Sequence, residues 1–433
     1  MFPALRTVPS ILSGRVVKRS VQPKDLGISL VPIASSLHSP ASTERVLSSY
    51  RRWLVGVFDT ESSLATSPED VRRSGLERST GVIALVLTGG TEHILGAVAE
   101  SGKPFLVLAH DAMNSLPAAL EAASSIPGKG SRLVFGRGGR QLKKVHRFAR
   151  ASEALARISR HRIGLVGGPS PWLTYSVPDA GGLADRLGIR VVDISLQEFK
   201  EVYSQVSRPA AQVVGIGREA AEVPEPDLKK SDAIYVAMKT ISERYGLTSL
   251  SPRCFDFIKD FGATGCLALS KLNDEGVVAG CEGDVPSTVA MITLSEVARQ
   301  PAFMGNPSSI AGRRLVLAHC TVATRLTKRV RYRTHFESGI GVAIAGEFRK
   351  GARVTLARYG KGYGLLRAGA GTIVRGSPWS EDLCRTQVDV RMDGNAEVLL
   401  EHPIGNHLVM TYGDHVDSLR QLASVAGLEF EEI

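Results

Sequence analysis

Glu282 and Asp284 stand two apart in the stretch AGCEGDVPSTVAM, residues 279–291. A Pro-initiated apolar run follows them. Asp284 therefore reads as a helix cap, with Pro286 in the first turn and Val289, Ile292 and Val297 on the buried side. Glu282 has no such duty: it is a carboxylate where an apolar strand should end. Asp284 stays divided between cap and catalytic acid. Further acids and imidazoles crowd the same C-terminal third: His319, His335, Glu337, His402, His407, Asp414 and His415. His319 closes the apolar strand LVLA just before Cys320, and His407 heads the apolar part of IGNHLVMTYGDH, 404–415. In an open α/β sheet ligands gather beyond the carboxyl ends of strands, and Glu282 and His319 both read as sitting at such ends. Carboxylate plus imidazole, with oxygen-rich neighbours, suits Mn2+ or a similar divalent ion.

Other chemistries find less support. FGRGGRQ (135–141) and VGIGREA (214–220) place glycines after strands. Neither completes a dinucleotide fingerprint with an acid about 20 residues on, so both read as tight turns. Walker A, GxSxG and HExxH motifs are absent. The five cysteines, Cys254, Cys266, Cys281, Cys320 and Cys384, contain no CxxC pair and are odd in number. That disfavours a disulfide framework and a zinc–thiolate site, and points to buried thiols in a reducing cytoplasm.

These residues need elements to hold them. The chain has 433 residues, too many for one ordinary core, so two or three domains are expected. Hydrophobic residues make up 43% and charged residues 22%, a globular composition that excludes a disordered chain. No apolar run approaches the roughly 20 residues that cross a bilayer. The first 24 residues are basic and free of acid, and residues 1–26 read as an organellar targeting segment, a disordered tail or a start placed too early. From Ile28, ISLVPIA, WLVGVFD (53–59), GVIALVLTGG, PFLVLAHD and SRLVFG are short, nearly continuous apolar runs separated by helical stretches. Such runs signify parallel strands covered on both faces. A long helix over 141–159 leads to a second α/β pattern, with RIGLVGG, RVVDIS, QVVGIG (212–217), a helix over 227–246 and finally RRLVLAHCTV (313–322). After about residue 325 come GIGVAIAGEF, ARVTLARYG, YGLLRAGAGTIVRG, CRTQVDVRM and AEVLLEH (396–402), alternating strands joined by Gly-rich turns. The expected order is a basic tail (1–27), two Rossmann-like α/β domains with parallel sheets (28–160 and 161–325), and a C-terminal antiparallel, barrel-like β domain (326–433).

ALSKLNDEGVVAGCEGDVPSTVAMI (268–292), PAFMGNPSSI (301–310), LVLAHCTV (315–322) and GNHLVMTYGD (405–414) resemble the L-fucose isomerase and L-arabinose isomerase superfamily. LTGGTEHIL (87–95) and NSLPAALE (114–121) resemble its N-terminal domain. The resemblance spans about residues 28–433. It implies an aldose–ketose isomerase, an intramolecular oxidoreductase using Mn2+ and an enediolate. Glu282 then matches a metal-binding and catalytic carboxylate, His407 the C-terminal metal-binding histidine, and His319 a histidine that ligates metal in the arabinose branch. The family's second metal-binding acid falls where this chain has Asn306. An amide oxygen can coordinate a hard cation, but it cannot accept a proton as a base. The partner acid would then be Asp284, Glu337 or a water. The resemblance also implies a homo-oligomer, a hexamer or related ring, in which TGGTEH (88–93) could serve a neighbour's site.

The formal charge is +10. Five of these charges lie in residues 1–24, and a second basic run holds Arg313, Arg314, Arg325, Lys328, Arg329, Arg331 and Arg333. Aromatics are only 6% and no stacking motif accompanies the arginines, which disfavours nucleic acid as a partner. The basic run reads first as a solvated inter-domain segment. The alternative is a site for a sugar carrying phosphate or sulfonate, which a guanidinium cluster suits, as the superfamily resemblance, with its sulfosugar relatives, allows. A sugar-binding protein that has lost the chemistry with the second acid is the competing expectation.

Overall fold

A computed structural model describes residues 26–126, 132–206 and 223–433. The expected strand QVVGIG, the glycines of VGIGREA and residues 1–25 of the basic tail lie outside these residues, while Leu26 and Gly27, expected in the tail, begin the first strand. The first sheet is formed by β1 (Leu26–Ile33), β2 (Thr60–Glu61), β3 (Ser79–Val86), β4 (Phe105–Ala109) and β5 (Arg132–Phe135). All are parallel, in the order β2-β1-β3-β4-β5. Alternate residues feed two separate cores. Ile28, Leu30, Ile83 and Leu85 pack on one face, and Val31, Ile33, Val82, Ala84 and Val86 on the other. This two-sided burial is why these strands lack polar alternation.

The helix Gly139–Ile158 leaves this sheet and enters the next. Its Val145 and Phe148 belong to the first core, and its Ala154 and Ile158 to the second. The second sheet contains β6 (Arg162–Val166), β7 (Arg190–Ile194), β8 (Ser249–Pro252) and β9 (Val278–Ala279), parallel in the order β7-β6-β8-β9.

The antiparallel part consists of β10 (Phe303–Ala311), β11 (Arg314–His319), a separate ribbon β12 (Arg329–Arg333) and β13 (Ala343–Glu347), then β14 (Arg353–Tyr359), β15 (Leu365–Arg375), β16 (Thr386–Met392), β17 (Leu408–Tyr412) and β18 (Glu429–Glu432). The order β14-β17-β10-β11-β16-β15 closes through a β14–β15 pairing into a six-stranded barrel, with β18 parallel to β15 at its side.

The helix Val285–Ala298 lies between the second sheet and the barrel, touching β8 and β9 on one side and β14 and β17 on the other. Residues 285–294 are all buried, so this helix is apolar around its whole circumference. Its N-terminus opens at the junction of the two units.

Three expectations need correction. WLVGVFD is not a strand: Trp53 ends the helix Pro40–Trp53 and Val55 is 77% exposed. Gly56 turns the chain with φ +76°, leaving only the two residues of β2 to pair. AEVLLEH forms the short helix Val398–Glu401 rather than a strand. RRLVLAHCTV does not continue the second parallel sheet. Its strand β11 pairs antiparallel with β10 and β16 inside the barrel, so His319 ends a barrel strand.

Candidate metal centre and active site

Glu282 lies just beyond β9, in a turn where Gly280 N donates to Leu250 O and Gly283 N to Pro252 O. Glu282 and Gly283 both have positive φ, +62° and +68°. A non-glycine residue in this region is strained by roughly 1 kcal/mol or more. Gly283 has no alternative, because a Cβ there would lie 2.5 Å from Gly168 O and 2.7 Å from Pro169 Cα. The doubled left-handed turn directs Glu282 toward the barrel, while Ser170 N donates to Glu282 O at 3.0 Å.

The barrel supplies the imidazoles. Gly305 is paired with Leu408 across β10 and β17, and Asn306 with Ala318 across β10 and β11. His407, one residue before β17, Asn306 in β10, and His319 at the end of β11 are thus brought to the same end of three adjacent strands. A ligand atom from each of Glu282, His319 and His407 lies within 4.8 Å of the others, and all three residues are buried. Glu282 Oε1 is 3.6 Å from His407 Nε2 and 4.0 Å from His319 Nε2. Asn306 and Glu337 line the same pocket.

Asp284 stands behind this group. Its Oδ1 accepts from Ser287 N at 2.8 Å, capping the helix as the sequence predicts. Its Oδ2 accepts from His407 Nδ1 at 2.8 Å and from Arg358 Nη1 at 3.3 Å. Arg358 is itself buried and distributes its remaining donors among Ile404 O, His407 O, Ser176 Oγ and Ser287 Oγ. Both oxygens of Asp284 are thus engaged, and Asp284 is not among the residues lining the pocket with Glu282.

The electrostatics follow from these contacts. Burial pushes the Glu282 carboxyl up, but His407, His319 and the Trp172 N–H outweigh it and hold the group at about 2. Burial and the neighbouring His407 hold His319 down at about 4, hence neutral near pH 7. Burial opposes charge on His407, yet Asp284 and Glu282 outweigh it and raise its affinity for a proton. Burial likewise disfavours charge on Asp284, but Arg358 and His407 hold its carboxyl well below the usual range.

The residues fit a divalent ion. His319 Nδ1 and His407 Nε2 are buried without a hydrogen-bond partner among the described residues, a state that is expensive unless something completes it. The Nδ1–H···Asp284 bond sets the tautomer that leaves the His407 Nε2 lone pair facing Glu282. A carboxylate behind an imidazole is the usual support of a metal-binding histidine.

Sequence reasoning missed three features. Trp172, in the loop after β6, donates Nε1–H to Glu282 Oε2 at 2.8 Å. Its position beyond the carboxyl end of a parallel strand was the available signal. Arg358 sits in an apolar strand, where a guanidinium needs a buried partner. The third is the convergence of the cysteines: all five line the pocket that holds Glu282 and His319.

No known protein-family profile matches the chain. It is 26% identical over 347 residues to the sulfoquinovose isomerase of Clostridium sp. (strain MSTE9), covering 74% of this chain and 76% of that protein. It is 27% identical over 315 residues to the sulfoquinovose isomerase of Priestia aryabhattai, covering 66% and 68%. A third relative, the sulfoquinovose isomerase of Alkalicoccus urumqiensis, is 23% identical over 305 residues, covering 66% and 67%. With two parallel sheets, a closed barrel and a carboxylate–imidazole site between them, the chain is an enzyme of the aldose–ketose isomerase class, an intramolecular oxidoreductase. Among the described residues no helix is long and apolar enough to cross a membrane.

Proposed function

We propose that this enzyme is a metal-dependent isomerase of an anionic sugar, with Glu282, His319 and His407 as metal ligands and Asn306 as a further oxygen donor. The observation that carries the reading is the meeting of one carboxylate and two buried imidazoles, of which His319 Nδ1 and His407 Nε2 have no hydrogen-bond partner among the described residues. Mn2+ or another divalent ion, when bound there, supplies Lewis-acid polarisation of the sugar's carbonyl and adjacent hydroxyl. The chain's own residues do the rest. Glu282, ionised near pH 7 and lining the pocket, takes the proton from one carbon and returns it to the next. Trp172 holds its second oxygen. Asp284 and Arg358 keep His407 in one orientation. Asp284 is not among the residues lining the pocket, so of the acids considered Glu337 is the one placed to assist, since it and Glu282 are the carboxylates that line it.

The anionic substrate is supported by the relatives, which are named for a sulfonated sugar, and by a basic cavity. Period two puts Arg329, Arg331 and Arg333 on one face of β12, opposite Glu347, Ala345 and Ala343. With Trp379, Glu347 and Glu381 they line a cavity of about 340 Å3, in which Arg333 is paired with Glu381 and Arg329 and Arg331 supply the remaining positive charge. His335, two residues beyond Arg333, lines the metal pocket. A homo-oligomeric ring remains part of the proposal through the superfamily resemblance alone.

The test is exchange of the substrate's C2 proton with solvent deuterium, followed with a sulfonated hexose and its neutral counterpart. The Glu282→Gln protein should bind sugar without exchange, and the neutral sugar should exchange more slowly than the sulfonated one. Exchange retained in Glu282→Gln overturns the assignment of the base. Equal rates for the two sugars overturn the anionic substrate.

A further inference from the structure

β8 and β9 are parallel neighbours, with Ser249 opposite Val278 and Leu250 opposite Ala279. Cys254 lies just past the end of β8 and Cys281 just past the end of β9. Their Sγ atoms are 2.9 Å apart, about 0.9 Å more than a disulfide bond. Both line the pocket that holds Glu282, and Cys281 is its immediate neighbour in the chain. We propose that Cys254 and Cys281 form a reversible oxidation site whose closure displaces Glu282 and silences the metal centre. The effect on turnover rests on the isomerase reading; the dithiol chemistry does not.

Both residues line that pocket, with Cys254 6% and Cys281 3% exposed, and the oxidant the proposal requires is one small enough to enter it, hydrogen peroxide. One cysteine sulfur attacks a peroxide oxygen: an S–O bond forms, the O–O bond breaks, and the leaving hydroxide takes the thiol proton as water. The second sulfur then attacks the sulfenic sulfur. The S–S bond forms, the S–O bond breaks, and a second water leaves with the remaining proton. Two thiols are oxidised by two electrons and one peroxide is reduced to two waters. A dithiol reductant reverses the change by exchange.

The coupling to Glu282 is mechanical. The turn from Cys281 to Gly283 is clamped at Pro252 O and Ser170 N and has two successive residues at positive φ. It has little freedom to absorb a movement of roughly 0.9 Å in the sulfurs by rotating elsewhere. A misplacement of about 1 Å at a catalytic group lowers rate by about 100-fold.

The full chain is treated with hydrogen peroxide and divided for three readouts: peptide mapping by mass spectrometry, calorimetric titration with Mn2+, and isomerisation of a sulfonated hexose. The expected result is a cross-linked pair of peptides containing Cys254 and Cys281, lighter by about 2 Da. Mn2+ affinity should fall at least about tenfold and turnover by about 10- to 100-fold, and dithiothreitol should restore both. Measured against its own untreated level, Cys254→Ala should lose neither Mn2+ affinity nor turnover on peroxide treatment. A cross-link at another pair, no cross-link, a cross-link that leaves Mn2+ binding unchanged, or peroxide loss persisting in Cys254→Ala would each overturn the proposal. If the untreated protein isomerises no sugar, the functional reading fails, while the cross-link and Mn2+ titration still judge the dithiol.

Discussion

The substitution Asp284→Asn isolates the support of His407 from the capping of the helix. Asparagine caps a helix about as well as aspartate, so the bond from Ser287 N to the side-chain oxygen survives. What disappears is the negative charge that accepts from His407 Nδ1 at 2.8 Å and from Arg358 at 3.3 Å. Removing one partner from a buried ion pair costs about 3–5 kcal/mol. Arg358 retains Ile404 O, His407 O, Ser176 and Ser287 as acceptors, which places the loss near the lower end, about 3 kcal/mol. The imidazole loses the carboxylate that sets its tautomer, and loss of such a support lowers metal affinity by about 10- to 100-fold. Two assays separate the effects: urea unfolding of the metal-free protein and calorimetric titration with Mn2+. Arg358→Met combined with Asp284→Asn should recover part of the stability, by removing the unpaired cation, and none of the Mn2+ affinity. If Asp284→Asn loses stability but binds Mn2+ as tightly as the natural chain, Asp284 is a cap and core residue only, and the reasoning about His407 is wrong.

Trp172→Phe keeps an aromatic ring against Phe255, whose ring centre lies 5.0 Å away, and deletes the N–H to Glu282. A hydrogen bond to a charged acceptor contributes about 1.5–3 kcal/mol, so kcat/KM should fall by about 10- to 100-fold with stability unchanged, as steady-state kinetics and thermal unfolding would show. Mn2+ binding should weaken as pH falls from 8 to 6, because Asp284 and Glu282 raise the proton affinity of His407 and the proton competes for Nε2; a flat affinity across that range in calorimetry would contradict the ligand assignment. Glu296 joins the helix Val285–Ala298 to Arg157 and His161. Burial pushes its carboxyl up, but those two partners outweigh it and hold it at about 2. A depressed carboxylate stabilises the fold above its unfolded pKa, near 4.5, and that contribution is lost as pH falls through about 2. Glu296→Gln should therefore lower unfolding free energy by roughly 2 kcal/mol at pH 7 and by much less at pH 2, measured by urea titration at both. Arg331→Ala should raise KM for a sulfonated sugar by about tenfold and leave KM for the neutral sugar unchanged, since an exposed charge-assisted contact contributes about 1–2 kcal/mol; equal KM changes would dissociate the β12 cavity from the anion.

Local pattern was legible wherever a stretch carried its own physical instruction. The continuous apolar runs of β1, β3 and β4 announced a sheet covered on both sides. Asp284 and Pro286 announced a helix start, and alternation with Gly-rich turns announced antiparallel strands. Short apolar runs were ambiguous. WLVGVFD and AEVLLEH match a strand by composition, but the first is the end of a helix with a glycine turn and the second a single helical turn. The residue types of the centre were also readable: Glu282, His319 and His407 could be named as chemically apt.

Their meeting was decided by non-local pairing. Barrel closure sets β17, β10 and β11 side by side and brings His407, Asn306 and His319 to one end, while packing of the helix Val285–Ala298 brings Glu282 opposite them. The burial of Arg358 behind Asp284, the reach of Trp172 to Glu282 and the gathering of five scattered cysteines on one pocket arise in the same way. Sequence spacing carries the periods of helix and strand, 3.6 and 2, and therefore tells which faces are apolar. It carries no record of which strand closes on which. A centre built from three remote segments exists only once those segments are packed together.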